Sequence, residues 1–99
     1  MKVLTIARPL PDAAPPSAAV VRAAKEWIDE HRRNGTIDCI YGFMTGGGVS
    51  ISNADSPDEC HRLLMSYPMH AWMAFEIHPL CDIDRAFEVF LEAIQKLGG

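Results

Sequence analysis

Residues 69–80, MHAWMAFEIHPL, alternate an apolar row of side chains with a second, chemically mixed row. A period of two is the pattern of a half-buried β-strand, because successive side chains point to opposite faces of a sheet. The apolar row consists of Met69, Ala71, Met73, Phe75 and Ile77. The second row carries two imidazoles, an indole and a carboxylate, in the order His70, Trp72, Ala74, Glu76 and His78. The chain is therefore constrained to a sheet that buries one face and leaves these groups on the other.

The bulk composition is that of an ordinary folded domain. Of the 99 residues, 48% are hydrophobic and 22% are charged, which argues against disorder. We expect a single domain over residues 1–99, because the chain is short for two. A domain of this size buries about two-thirds of its unfolded surface, so a partner subunit would add useful stability.

Charge and hydropathy argue against several classes of partner. The net charge of −4 and a pI near 5.4 argue against nucleic acid and anionic membranes. No apolar run approaches the roughly 18 residues that span a bilayer, so no membrane partner is expected. The N-terminal run MKVLTIARPLP lacks the apolar length and cleavage site of a signal peptide. We interpret it as a first strand and expect a cytoplasmic protein.

The three cysteines, Cys39, Cys60 and Cys81, are far apart and show no C-x-x-C spacing. An odd number of widely separated thiols does not suit a disulfide framework or a zinc site. The pattern predicts reduced thiols that pack in the core.

Hydrophobic periodicity and capping residues predict the order β-α-β-β-α-β-α. The predicted segments are strand 2–8, helix 17–34, strand 36–44, strand 49–53, helix 56–67, strand 69–78 and a final helix from 82. Ser17 and Ser56 are the expected helix caps, and Asp82 starts the last helix. In the strand 36–44, an alternating row is expected to share one face, namely Ile37, Cys39, Tyr41 and Phe43.

The glycine run 46–48 lies between two predicted strands. It does not suit a phosphate-binding loop, because no Lys-Ser/Thr pair follows and no helix begins there. We interpret it as a flexible hairpin turn or bulge, and close approach of a ligand to its backbone is one use that such a turn allows.

This element order predicts an α+β, ferredoxin-like fold with an extra C-terminal helix. The four strands form an antiparallel sheet with both main helices on one face. The other face needs a polar surface or a partner. If two sheets pack face to face, they form a dimeric α+β barrel, and the mixed row of the last strand lines its interior.

Two consecutive segments, DSPDECHRLL and YPMHAWMAFEIHPL, resemble the muconolactone isomerase-like family of dimeric α+β barrel proteins. The resemblance covers about residues 47–80. It rests on a capped acidic helix start, a Leu pair, a Pro turn and an aromatic strand that ends in Glu and Pro-Leu. These positions are Asp58, Glu59, Leu63, Leu64, Pro68, Trp72, Met73, Glu76, Pro79 and Leu80. The resemblance implies a cofactor-independent isomerase that moves a proton on a small lactone acid inside an oligomer.

Proton abstraction beside a carbonyl needs a base of tuned pKa and a group that steadies the enolate. Glu76 is the candidate base, and desolvation in a cavity is expected to raise its pKa. His78 lies about 6.6 Å along the strand from Glu76, close enough to share one substrate. His70 lies about 20 Å from Glu76 on the same scale. Glu76 and His78 are therefore the candidate catalytic residues.

Other side chains are candidates for substrate contact. Trp72 is expected to stack on a flat or unsaturated ligand. His70 and Ala74 share its row, and Ser50 and Ser52 are further candidates on the third strand.

The residues leave alternatives open. Glu76 can instead be a structural carboxylate paired with Arg8, and His78 a surface histidine. A metal held by Glu76 and His78 lacks a third ligand at useful spacing, so none is expected.

Three classes of function remain open for this chain. The first is an isomerase or cyclase that acts on a small unsaturated carbonyl or lactone compound. The second is a cofactor-free oxygenase that acts on an aromatic substrate. The third is a non-catalytic module that binds a ligand or forms an oligomer. In each case the expected partners are a small molecule and further copies of the chain, as a homodimer or a higher homo-oligomer.

Overall fold

The computed structural model describes residues 1–98 and confirms the predicted order of elements. The strands are β1 (Lys2–Pro9), β2 (Ile37–Gly42), β3 (Gly48–Asn53) and β4 (Met73–Leu80). The helices are α1 (Ala18–Arg33), α2 (Pro57–Ser66) and α3 (Ile83–Lys96), with a short 3₁₀ turn at His70–Trp72. Within residues 1–98, no helix is long and apolar enough to cross a membrane.

The four strands form one antiparallel sheet in the order β2-β3-β1-β4. β1 lies inside the sheet and pairs with both β3 and β4 along nearly its whole length. Helix α1 connects β1 to β2, and α2 connects β3 to β4. This is the predicted ferredoxin-like arrangement, and α3 is the predicted additional helix.

Each helix begins where its sequence predicts. The side chains of Ser17, Ser56 and Asp82 cap α1, α2 and α3, and each accepts a hydrogen bond from the backbone N–H three residues on. Such caps satisfy an otherwise unpaired amide in the first turn. Because the caps fix where the helices start, they also fix the lengths of the connections to the strands.

The register of the strands separates the sheet into two faces, since directly paired residues share a face. The covered face, against α1 and α2, carries Val3, Thr5, Ala7, Gly48, Ser50, Ser52, Phe75 and Ile77. The open face carries Leu4, Ile6, Arg8, Val49, Ile51, Ala74, Glu76 and His78. The second row of the opening pattern thus lies, from Ala74 onward, on the open face as predicted.

The hydrophobic core between sheet and helices is small. Val3, Ala54 and Cys60 form its buried cluster, and Leu64 packs against them. Val3 is the most buried large side chain, at 1% exposure. A core of this size leaves a narrow margin of stability for a single chain.

The predicted start of the last strand is wrong. β4 begins at Met73, and the preceding residues form the 3₁₀ turn. The turn is fixed against the proline-rich connection after β1, because the Trp72 indole N–H donates to the carbonyl of Ala14 at 2.8 Å. The Leu10 N–H donates to the Trp72 carbonyl at 2.9 Å. The alternation therefore describes a strand only from Met73 onward.

The predicted face of β2 is also wrong, because its register shifts between Ile37 and Cys39. An extra residue in one strand moves the following side chains to the other face. Ile37 pairs with Ser52 on the covered face, whereas Cys39 pairs with Ile51 on the open face. The expectation of core thiols holds for Cys60, which is buried, but fails for Cys39, which is half-buried on the open face, and for Cys81, which is exposed.

The glycine run holds the β2–β3 hairpin close to β1. Gly47 has a φ of +77°, and a Cβ at this position would lie 2.0 Å from the carbonyl oxygen of Ala7. A Cβ on Gly48 would lie 2.6 Å from the carbonyl oxygen of Tyr41. The run is thus a tightly packed turn whose backbone contacts require residues without side chains.

Gly47→Ala is expected to destabilise the fold by about 2–5 kcal/mol, because left-handed backbone strain and a steric clash add together. The matched control is Gly35→Ala. Gly35 also has a positive φ, of +83°, but a Cβ at this position would meet no atom within 4 Å. The control should lose only about 1–2 kcal/mol. Urea denaturation measures the free energy of unfolding of both variants. Equal losses of stability in the two would contradict the packing role of Gly47.

Helix α3 lies away from the rest of the fold. Of its residues, only Ala86 is half-buried, and all others are exposed. The radius of gyration is 16.9 Å, whereas a compact chain of 100 residues has about 13 Å. A two-residue connection, Cys81–Asp82, joins β4 to this helix. The apolar side of α3 therefore has no cover from the described residues 1–98.

Candidate functional site

The open face carries a hydrogen-bonded acid–base pair. Glu76 and His78 are alternate residues of β4, so their side chains project from the same face. The imidazole Nε2 of His78 lies 2.9 Å from Oε2 of Glu76. Both side chains are more than half exposed in the single chain, at 58% and 52%. The structure therefore brings together the two residues that the sequence suggests for proton transfer.

The electrostatics of Glu76 differ from the expectation. The pKa of its carboxyl lies below the usual value, first because His78 donates a hydrogen bond and then because of the imidazole charge. Arg8 lowers the same pKa through its charge. Desolvation acts in the opposite direction but is outweighed, because solvent reaches the carboxylate in the single chain. The predicted rise of this pKa is thus not found in the single chain.

Arg8 lies on the open face, where its backbone pairs with Ala74 in the adjacent strand. A guanidinium presents several donors in a fixed fork that suits a carboxylate. In this structure the hydrogen bond of Glu76 goes to His78, while Arg8 contributes its charge only. Arg8 is therefore available to bind an anionic group beside the pair.

The remaining members of the predicted row divide between two places. Ala74 lies on the open face, two residues before Glu76. His70 and Trp72 lie in the 3₁₀ turn, outside the strand. The Nδ1 of His70 lies 3.0 Å from the carbonyl oxygen of Tyr67. Because Trp72 is tied to the connection after β1, the structure does not bring these two aromatic groups to the Glu76 pair.

Ser50 and Ser52 lie on the covered face, where they line a cavity of about 250 Å³ between the sheet and the two helices. Its walls are mainly apolar and aromatic, and include Trp27, Leu64, Tyr67 and Phe75. Thr5 adds a third hydroxyl beside those of the two serines. A concave, mostly apolar pocket with a few polar groups is the usual form of a small-molecule site.

The cavity has the form of a small-molecule site, but none of its described lining groups can act as a base near neutral pH. Burial raises the pKa of the Tyr67 phenol and of the Cys60 thiol, so both stay protonated near neutral pH. Among the described residues, no Asp, Glu, His, Lys or Arg lines it. The two faces of the sheet therefore carry different kinds of polar group. Ionisable side chains lie on the open face, and neutral hydrogen-bond donors line the cavity on the covered face.

The cavity was missed by sequence reasoning, although one signal pointed to it. Thr5, Ser50 and Ser52 are polar residues at strand positions that face the helices, where apolar side chains are usual. Register had to be known before these three hydroxyls could be grouped. No group of three His, Cys, Asp or Glu suited to a metal ion occurs within residues 1–98.

Residues 4–85 match the sequence profile of a family described as muconolactone delta-isomerase. Among solved structures, the chain resembles a muconolactone isomerase, with a TM-score of 0.72 and 23% identity over 83% of this chain and 90% of that chain. It also resembles 5-chloro-2-hydroxyhydroquinone dehydrochlorinase from Burkholderia phenoliruptrix, solved with 2,5-dihydroxybenzoquinone. That match has a TM-score of 0.70 and 14% identity over 86% of this chain and 98% of that chain. No curated protein sequence matches the chain.

Proposed function

Since the chain belongs to the muconolactone delta-isomerase family, we propose that it is a small cofactor-independent isomerase or cyclase. Its reaction moves a proton on a small unsaturated carbonyl or lactone compound. The observation that carries this proposal is the hydrogen bond of 2.9 Å between Glu76 and His78. A carboxylate and an imidazole in contact form a couple that can accept a proton at one carbon and return it at another.

In this proposal Glu76 is the base. Its lowered pKa keeps the carboxylate ionised at neutral pH, ready to accept a proton from the carbon beside a carbonyl. His78 orients the carboxylate through the hydrogen bond and relays the proton. The charge of Arg8 favours a substrate that carries a carboxylate, and it steadies negative charge that develops on the carbonyl oxygen.

The open face also explains why we propose a homodimer or higher oligomer. Leu4, Ile6 and Ile51 place apolar side chains beside the ionisable ones. A second sheet packed on this face would cover them and enclose the substrate. Such cover would also desolvate Glu76, which strengthens it as a base by raising its pKa.

The proposal is tested by proton exchange in D₂O. Purified protein is incubated with an unsaturated lactone acid, and NMR follows isomerisation together with deuterium entry at the carbon beside the carbonyl. Enzyme-dependent exchange is expected without any added metal or cofactor. Oxygen consumption with a phenolic substrate, in place of exchange, would favour the oxygenase alternative and contradict the proposal.

A further inference from the structure

We propose that a groove at one end of the sheet binds a short aliphatic monocarboxylate. The groove has a volume of about 360 Å³ and lies between α1 and α2, where β2 begins and β3 ends. The β2–β3 hairpin is at the opposite end of these two strands. Among the described residues, the groove shares only Ala54 and Leu63 with the cavity on the covered face. The groove is therefore a separate site.

Arg62 brings a positive charge to the groove. It lies on the same face of α2 as Glu59, Leu63 and Ser66, at intervals of three and four residues. Within residues 1–98 its guanidinium makes no ion pair and no hydrogen bond. Glu59 instead accepts the backbone N–H of Asp55 at 2.8 Å, at the start of α2. The donors of Arg62 are thus available to a carboxylate, whose planar shape their fork matches.

His31, from the last turn of α1, adds a second group that can hold an anion. Its Nδ1 lies 2.7 Å from the carbonyl oxygen of Trp27. A carbonyl oxygen only accepts hydrogen bonds, so Nδ1 carries a proton and Nε2 is the nitrogen left for a ligand. The imidazole also stacks on the Trp27 ring, with 4.1 Å between centroids, which fixes its orientation. When Nε2 is protonated as well, the imidazolium donates from it to an anion in the groove.

The balance of charges determines the class of ligand. The titratable side chains among the described lining residues are His31, Glu59 and Arg62. The guanidinium and the imidazolium attract a negative charge, whereas the carboxylate of Glu59 repels it. A monoanion therefore fits the groove better than a dianion such as phosphate. Ala54 and Leu63 supply an apolar wall for a short hydrocarbon chain, so the groove suits an acid such as butyrate.

The groove is independent of the proposed isomerase activity. Glu76 and His78 lie on the open face of β4, and neither is among the described residues that line the groove. Binding in the groove is measured without any turnover. Failure of the proposed isomerase activity would therefore leave the groove proposal standing, and the reverse also holds.

The test compares butyrate with butyramide, which have the same shape and differ in charge. The indole signal of Trp27 in ¹H–¹⁵N spectra reports on the groove, because the ring stacks on His31 and its N–H donates to Ser66 at 3.0 Å. At pH 6 and constant ionic strength, butyrate should shift this signal with a dissociation constant about tenfold lower than that of butyramide. The indole of Trp72, which is bonded to Ala14, should stay in place. Equal affinities, or a shift of Trp72 alone, would overturn the proposal.

Two variants probe the groups that hold the carboxylate. Arg62→Gln removes the guanidinium and should raise the dissociation constant of butyrate about tenfold. His31→Phe keeps a ring beside Trp27 but removes Nε2, and should raise the same constant about threefold. Arg22→Gln removes an exposed arginine of α1 that does not line the groove, and should leave the affinity unchanged. If both groove variants fold, as judged by circular dichroism, and bind butyrate as tightly as the parent, the assignment is wrong.

Discussion

Glu76→Gln is expected to lower turnover of an unsaturated lactone acid by about 10²–10⁴-fold, because a general base typically contributes this much. The amide keeps the size of the side chain but cannot accept the proton. Since the carboxylate is exposed in the single chain, folding should survive the change. Steady-state kinetics measures turnover, and circular dichroism reports on the fold.

The matched control for this variant is Glu26→Gln, which removes an exposed carboxylate of α1 far from the pair. Its turnover should equal that of the parent. His78→Ala should cost less activity than Glu76→Gln and should move the acidic limb of the pH–rate profile to higher pH. The reason is that the His78 hydrogen bond is the largest cause of the lowered pKa of Glu76. A Glu76→Gln protein that is fully active but poorly folded would make Glu76 a structural residue.

Much of the fold could be predicted because its signals are local. The helix starts are predicted by capping side chains that bond to the first turn, namely Ser17, Ser56 and Asp82. The structure confirms all three starts. The family resemblance, noted over residues 47–80, is confirmed by a match that extends over residues 4–85. The errors occur where contacts with distant parts of the chain determine the local structure. Trp72 follows the alternation but is held in a turn by Ala14, 58 residues earlier.

The site was harder to predict than the fold, for a related reason. Glu76 and His78 are two residues apart, so alternation alone places them on one face. The cavity gathers Thr5, Ser52 and Tyr67 from three separate parts of the chain. Their proximity depends on strand register and helix placement, which a single sequence specifies only weakly. Even the direction in which the pKa of Glu76 shifts depends on its hydrogen bond to His78. The sequence places the two residues on one face but does not give the distance between their side chains.

The apolar side of α3 is expected to pack against a second copy of the chain. Its side chains recur at intervals of four and three residues, which is typical of a helix that packs on another helix. The members are Ile83, Phe87, Phe90, Ile94 and Leu97. Phe87 and Phe90 are each 61% exposed. The side as a whole leaves on the order of 500 Å² of apolar surface uncovered, which is as large as the largest apolar patch of a typical monomer, and patches of this size often mark interaction sites.

Replacing both Phe87 and Phe90 with Glu should therefore break the contact through α3 at micromolar concentration and leave a smaller oligomer, a dimer of the 10.9 kDa chain held by the open sheet faces. The reason is that two desolvated charges would oppose the contact. Sedimentation velocity measures the change. Arg85→Glu is the matched control, since it alters the net charge by the same amount on a part of α3 outside the apolar side. The control should sediment like the parent. If the parent itself sediments as a monomer, the helix has no partner copy, and the enclosed barrel proposed for Glu76 loses its support.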